Sequence, residues 1–126
     1  MIAAAVAGFV FGAAWYGVLC KAWMAAQGKS PPQTKTMPLG PMITTFVALL
    51  VMAWMLAGLM GHLGPGNVTI RNGVISGAFA WLGFVITTQA VNHAFQGQKR
   101  MLTVIDGGHW LGVLLVQGAA IGAIGV

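Results

Sequence analysis

A single carboxylate, Asp106, occurs in 126 residues; there is no glutamate, and one cysteine, Cys20. Charged residues make up 6% of the chain, where a soluble domain carries about a quarter. Such a chain has too little charge to solvate the surface of an ordinary globule. One acid excludes catalysis by a carboxylate pair, and one cysteine excludes an internal disulfide. No serine nucleophile elbow, phosphate-binding loop or zinc-protease motif occurs. The eight methionines form no Met-x-x-Met cluster with Cys or His, so they read as core fillers. The expected protein is not an enzyme and holds neither metal nor cofactor.

What the chain has is apolar length. Hydrophobic residues are 58% and mean hydropathy is +0.85, which excludes disorder. Residues 1–20, 36–70, 72–98 and 107–126 carry no Asp, Glu, Lys or Arg. Crossing a hydrocarbon layer of about 30 Å takes roughly 20 apolar residues per helix. The turn-forming run His62-Leu63-Gly64-Pro65-Gly66-Asn67 closes the second segment, so it gives one span. Four spans result, over about 1–25, 42–61, 73–95 and 103–126. A membrane barrel would alternate polar and apolar residues, and these runs do not. The expected fold is all-α, a polytopic membrane protein whose four transmembrane helices form one compact bundle over residues 1–126.

The connections agree. Residues 27–41 hold four of the five prolines and cannot continue a helix. Residues 62–72 are rich in Gly, Pro and Asn. The third connection, Gln96-Gly97-Gln98-Lys99-Arg100, is short, which makes helices 3 and 4 antiparallel neighbours. Asn67-Val68-Thr69 matches a glycosylation acceptor but reads as chance.

Basic residues set the expected orientation. Lys21, Lys29, Lys35, Lys99 and Arg100 flank connections on one side, and Arg71 stands alone on the other. The positive-inside rule then puts both termini outside the cytoplasm of an inner, plasma membrane. Helix 1 lacks the basic start of a cleaved signal and is expected to remain in the mature protein. The pI near 10.2 reflects these flanks, not a basic face for nucleic acid.

Small residues recur at helical spacing. Gly8 and Gly12, Gly73 and Gly77, Gly108 and Gly112, and Gly118 and Gly122 each permit close helix approach. In lipid such approach supplies much of the association energy, within the bundle or between copies. Trp15, Tyr16 and Trp23 are expected at the membrane interface with their polar edges in water. Trp54, Trp81 and Trp110 lie deeper and are expected in the core, where an indole N–H needs a partner.

Polar residues inside the spans are the informative ones. Gln89, Asn92, His93 and Gln96 share one face of helix 3. Asp106, His109 and Gln117 nearly share one face of helix 4. Both stripes start near the short third connection and lie at similar depth. An ionised Asp at mid-bilayer costs about 2.5–3.5 kcal/mol on insertion scales, so Asp106 is expected near the interface, facing inward and paired. Its candidate partners are Lys21, His93, His109, Lys99 and Arg100. Directly packed helices, about 8–10 Å apart, leave little room for haem between His93 and His109. Two roles fit: a structural lock, or a site for protons or a small polar solute. A lone cluster at one end suits the lock, whereas a path requires polar residues across the membrane.

Gly12-Ala-Ala-Trp15-Tyr16 with Lys21-Ala-Trp23, Gly77-Ala-Phe-Ala-Trp81-Leu-Gly83-Phe84, and Asp106-Gly-Gly-His109 resemble the small bacterial four-helix membrane family catalogued as domain of unknown function 1761. The similarity runs over nearly the whole chain. It implies four spans and supplies no substrate and no catalytic residues. The small multidrug exporters have a similar length and span count but depend on a glutamate in helix 1, which this chain lacks. The resulting expectation is a non-enzymatic membrane protein, embedded in a lipid bilayer and assembled with itself or other membrane subunits. The alternative is a small transporter or channel using Asp106, His109, His93, Asn92, Gln89 and Lys21.

Overall fold

Apolar runs with no proline beyond the first turn form four helices in the computed structural model, which describes residues 2–27 and 39–125. These are α1 (Ile2–Gln27), α2 (Leu39–Gly61), α3 (Ile70–Phe95) and α4 (Arg100–Ile124). All four are long and apolar enough to cross a membrane. Every regular element among the described residues is helical. The expected all-α, four-span fold is what forms.

The boundaries shift for local reasons. α2 begins at Leu39, three residues before its expected start, with Pro41 inside its first turn. There a missing N–H leaves no bond unmade. α3 begins at Ile70 because Thr69 caps it: its Oγ1 accepts from the Asn72 N–H at 3.1 Å. Thr69 is thus a helix cap within the Asn67-Val68-Thr69 triplet. Gly97, at φ +69°, turns the chain after α3. Lys29 and Lys35 of the first connection lie outside the described residues.

α3 is not uniform, which the sequence pattern did not reveal. Ile70–Ala80 and Ile86–Phe95 are α-helical, and Trp81–Val85 between them is one π-helical turn. Thr87 and Thr88 hydroxyls donate to the Gly83 and Phe84 carbonyls at 3.0 and 2.7 Å. In an apolar medium these bonds satisfy groups that a widened turn strains.

α4 is the central helix. It packs against α1, against α3 and, less extensively, against α2. The helices that α4 touches most run antiparallel to it: Gly8 lies beside Val113 and Gln117, Gly12 beside His109, Gly73 beside Gly118 and Gly77 beside Leu114. The largest buried cluster joins Ala4, Ala53, Leu56, Ala57, Met60, Leu114 and Ile121. Trp54, expected in the core, is instead 63% exposed on the outer surface. That surface is predominantly apolar, which suits contact with lipid.

All eight glycines singled out above face a neighbouring helix. A Cβ on Gly73 would meet the Gly118 carbonyl, one on Gly118 the Gly73 carbonyl, and one on Gly122 the Thr69 carbonyl. The α3–α4 seam is therefore backbone against backbone. On α1 the partners are side chains, with the Phe11 ring over Gly112 and the Trp15 ring over Gly108.

Candidate functional site

Asp106-Gly107-Gly108-His109 lies in α4 where α1 and α3 both approach it. Gly107 and Gly108 leave the backbone bare. A Cβ on Gly107 would stand 2.6 Å from Ile86 Cδ1, and one on Gly108 2.8 Å from Trp15 Cζ2. Indole rings can therefore reach the peptide carbonyls. Trp15 Nε1 donates to the Ile105 carbonyl at 3.0 Å from one side. Trp81 Nε1 donates to the Gly107 carbonyl at 2.7 Å from the other.

The carboxylate between these two carbonyls is held the same way. Tyr16 Oη donates to Asp106 Oδ1 at 2.6 Å, and Trp23 Nε1 donates to the same oxygen at 3.1 Å. A bend at Leu19 (φ −100°, ψ 15°) lies between the two donors. The other oxygen, Oδ2, stands 3.9 Å from His93 Nε2. The opposite nitrogen of His93 is 2.8 Å from Thr103 Oγ1 in a hydrogen bond. Four aromatic N–H and O–H donors thus converge on residues 105–107. The segments that carried the family resemblance, far apart in sequence, meet here.

Several expectations need correction. Trp15, Tyr16 and Trp23 turn their polar edges inward to α4 rather than to interfacial water, because acceptors are available there. Lys21 is exposed and makes no ion pair with Asp106 among the described residues. It follows Tyr16 by five positions, about 140° round the helix, whereas Trp23 follows by seven and returns to the same face. Asn92 is also exposed. Gln89 comes near Gly107, and its Oε1 is buried without a partner. Thr103 and the donor roles of Trp15 and Trp81 were not foreseen; the Asp-Gly-Gly motif was the available signal, since only bare backbone admits an indole.

His109 stands apart from Asp106's hydrogen bonds. It is 6% exposed, and its ring centroid lies 4.7 Å from Tyr16, 4.6 Å from Trp110 and 6.4 Å from Phe11. Its Nδ1 is buried with no hydrogen-bond partner among the described residues. Gly12 gives the other nitrogen space, since a Cβ there would come within 2.7 Å of Nε2. His109 and Gly12 help to line a cavity of about 390 Å³ between α1, α2 and α4. Deeper along α4, the fully buried Gln117 donates from Nε2 to the Leu49 carbonyl at 3.1 Å. No group of three or more potential metal ligands occurs among the described residues.

Residues 1–122 match the family described as Protein of unknown function (DUF1761). The chain belongs to that family. No curated protein and no solved structure matches it. Four apolar helices and this family fit an integral membrane protein.

Proposed function

We propose that the protein is a non-enzymatic, multi-pass inner-membrane protein that assembles with itself or with other membrane subunits. In this reading the Asp106 cluster is the lock that fixes α1 and α3 on α4. The observation that carries it is the identity of the donors. Asp106 takes its hydrogen bonds from Tyr16 and Trp23, groups that carry no charge and give up protons reluctantly, so it is held in place rather than poised to exchange. Hydrogen bonds to a charged group contribute about 1.5–3 kcal/mol each.

The alternative, passage of protons or a small polar solute, requires polar groups in sequence across the bundle. His109 and Gln117 continue the Asp106 stripe, but each is enclosed by different neighbours.

The test compares Asp106→Asn with Asp106→Leu in purified protein. Asparagine can still accept from Tyr16 and Trp23, whereas leucine strands both donors. Under the lock reading, thermal stability falls modestly for Asn and steeply for Leu, and the oligomer seen by light scattering falls with it. Unchanged stability with lost pH-driven flux in vesicles would establish the alternative.

A further inference from the structure

The cavity beside His109 has the features of a ligand site, and it shares the side chains of Tyr16 and Trp23 with the Asp106 lock. Its walls include the aromatic side chains Phe9, Tyr16, Trp23 and Trp110, with Thr45 and His109 as polar groups. Among the described residues, no charged side chain lines it. The Asp106 carboxylate lies behind Tyr16, occupied by its own donors. Its volume of about 390 Å³ is at the small end of the roughly 300–1,000 Å³ typical of ligand pockets. His109 Nδ1, buried without a partner among the described residues, is costly unless something else bonds to it. Here the imidazole edge carrying Nε2 lies against Gly12 on the same wall.

A second feature extends the first. A shallow groove of about 300 Å³ runs along the α1–α2 seam, lined by Phe9, Met42, Ile43, Phe46 and Val47. Phe9 and Met42 also line the cavity, so the two spaces adjoin. The groove is entirely apolar and opens on the lipid-facing surface. A head that hydrogen-bonds beside a tail that does not is the shape of a membrane amphiphile.

The geometry points to a binding site for a neutral, flat-headed membrane lipid of the quinone class, its ring among the aromatics and its apolar tail in the α1–α2 groove. The uncharged lining among the described residues suits a neutral head. The aromatic walls select a planar ring, which gains from stacking and edge contacts. A ring carbonyl oxygen complements an imidazole N–H. The inference concerns binding and involves no electron transfer.

The test uses full-length protein in lipid nanodiscs and a decyl-substituted benzoquinone as probe, read by quenching of tryptophan fluorescence. Trp23 and Trp110 border the site, so binding gives saturable quenching. Thr45→Phe fills the cavity from α2 while leaving the His109 residue itself unchanged, and weakens binding at least tenfold. His109→Phe keeps the ring packing, removes the hydrogen bond and weakens binding about tenfold. Gly83→Ala, remote from the cavity, binds as the parent does. If His109→Phe does not fold, Thr45→Phe decides the matter. Unsaturable quenching, or equal affinity in the parent and Thr45→Phe, overturns the proposal. Displacement of the quinone by a monoacylglycerol at equal concentration overturns the ring-headed ligand class.

Discussion

Tyr16 and Asp106, 90 positions apart, are joined by a 2.6 Å hydrogen bond in which the phenol donates to the carboxylate. Trp23 donates to the same oxygen at 3.1 Å. The shorter bond, from the more acidic donor, carries more of the interaction. Tyr16→Phe removes it and nothing else from the ring, and lowers stability by about 1.5–3 kcal/mol. Trp23→Phe loses a longer bond together with packing area and falls in the same range. Reversible unfolding in mixed micelles measures both. A Tyr16→Phe protein as stable as the parent removes the lock from the bundle's energetics.

The glycines separate into two classes that substitution distinguishes. Gly118→Ala drives a methyl into the Gly73 carbonyl, and rigid backbone on both sides cannot yield cheaply, so a loss of at least about 1–3 kcal/mol is expected. Gly17→Ala and Gly58→Ala meet nothing within 4 Å. At those exposed helical positions alanine stabilises by up to about 1 kcal/mol. Thermal unfolding midpoints should move in opposite directions for the two classes. Equal shifts would show that helix propensity, not close approach, governs both.

The π turn sets which side of α3 meets α4. From Gly73 and Gly77 the inward stripe passes through Trp81 and then resumes at Ile86, Gln89 and His93, a step of five where α-helical packing steps by three or four. Deleting Gly83, an exposed position where a Cβ would meet nothing within 4 Å, removes the extra residue of the π turn, so a uniform α-helix still carries Ile86, Gln89 and His93, in parent numbering, round to α4. The expected result is that a disulfide cross-link between cysteines placed at positions 93 and 103, whose parent side chains are hydrogen-bonded, still forms in the deletion variant. Loss of that cross-link would mean that α3 re-forms the widened turn elsewhere and rotates position 93 away from α4.

Orientation rests on the five-to-one distribution of Lys and Arg. Reporter fusions at either terminus should be active only outside the cytoplasm. Activity of a C-terminal fusion in the cytoplasm reverses the assignment of every connection.

The spans were legible because a chain with one acid and six basic residues marks its own membrane boundaries. The glycine spacings were legible as close-approach positions, though nothing in them distinguished Phe11 over Gly112 from backbone against Gly118. The centre of the site was half legible. Asp106 and His93 were expected together from their depths, yet the donors Tyr16 and Trp23 carry no charge and looked like interfacial aromatics. His109 follows Asp106 by three positions and was read as sharing its face. Because α4 has neighbours on three sides, that small angular difference directs Asp106 to the contact with α1 and α3 and His109 to the cavity beside α2. The π turn left no mark in the pattern. It answers to the fit between Trp81 and Gly107, which only the assembled helices define.

The separation between Tyr16 and Asp106 also orders events during synthesis. Ribosomes add about 5–20 residues per second, so α1 is made on the order of ten seconds before the carboxylate its donors require. Through that interval Tyr16, Trp23 and Trp15 hold proton donors with no α4 to receive them, and Lys21 is at hand to keep this end of the helix near the headgroups. A ribosome that stops after α3 leaves a nascent chain in which all four donors, Trp15, Tyr16, Trp23 and Trp81, lack the acceptors that α4 supplies.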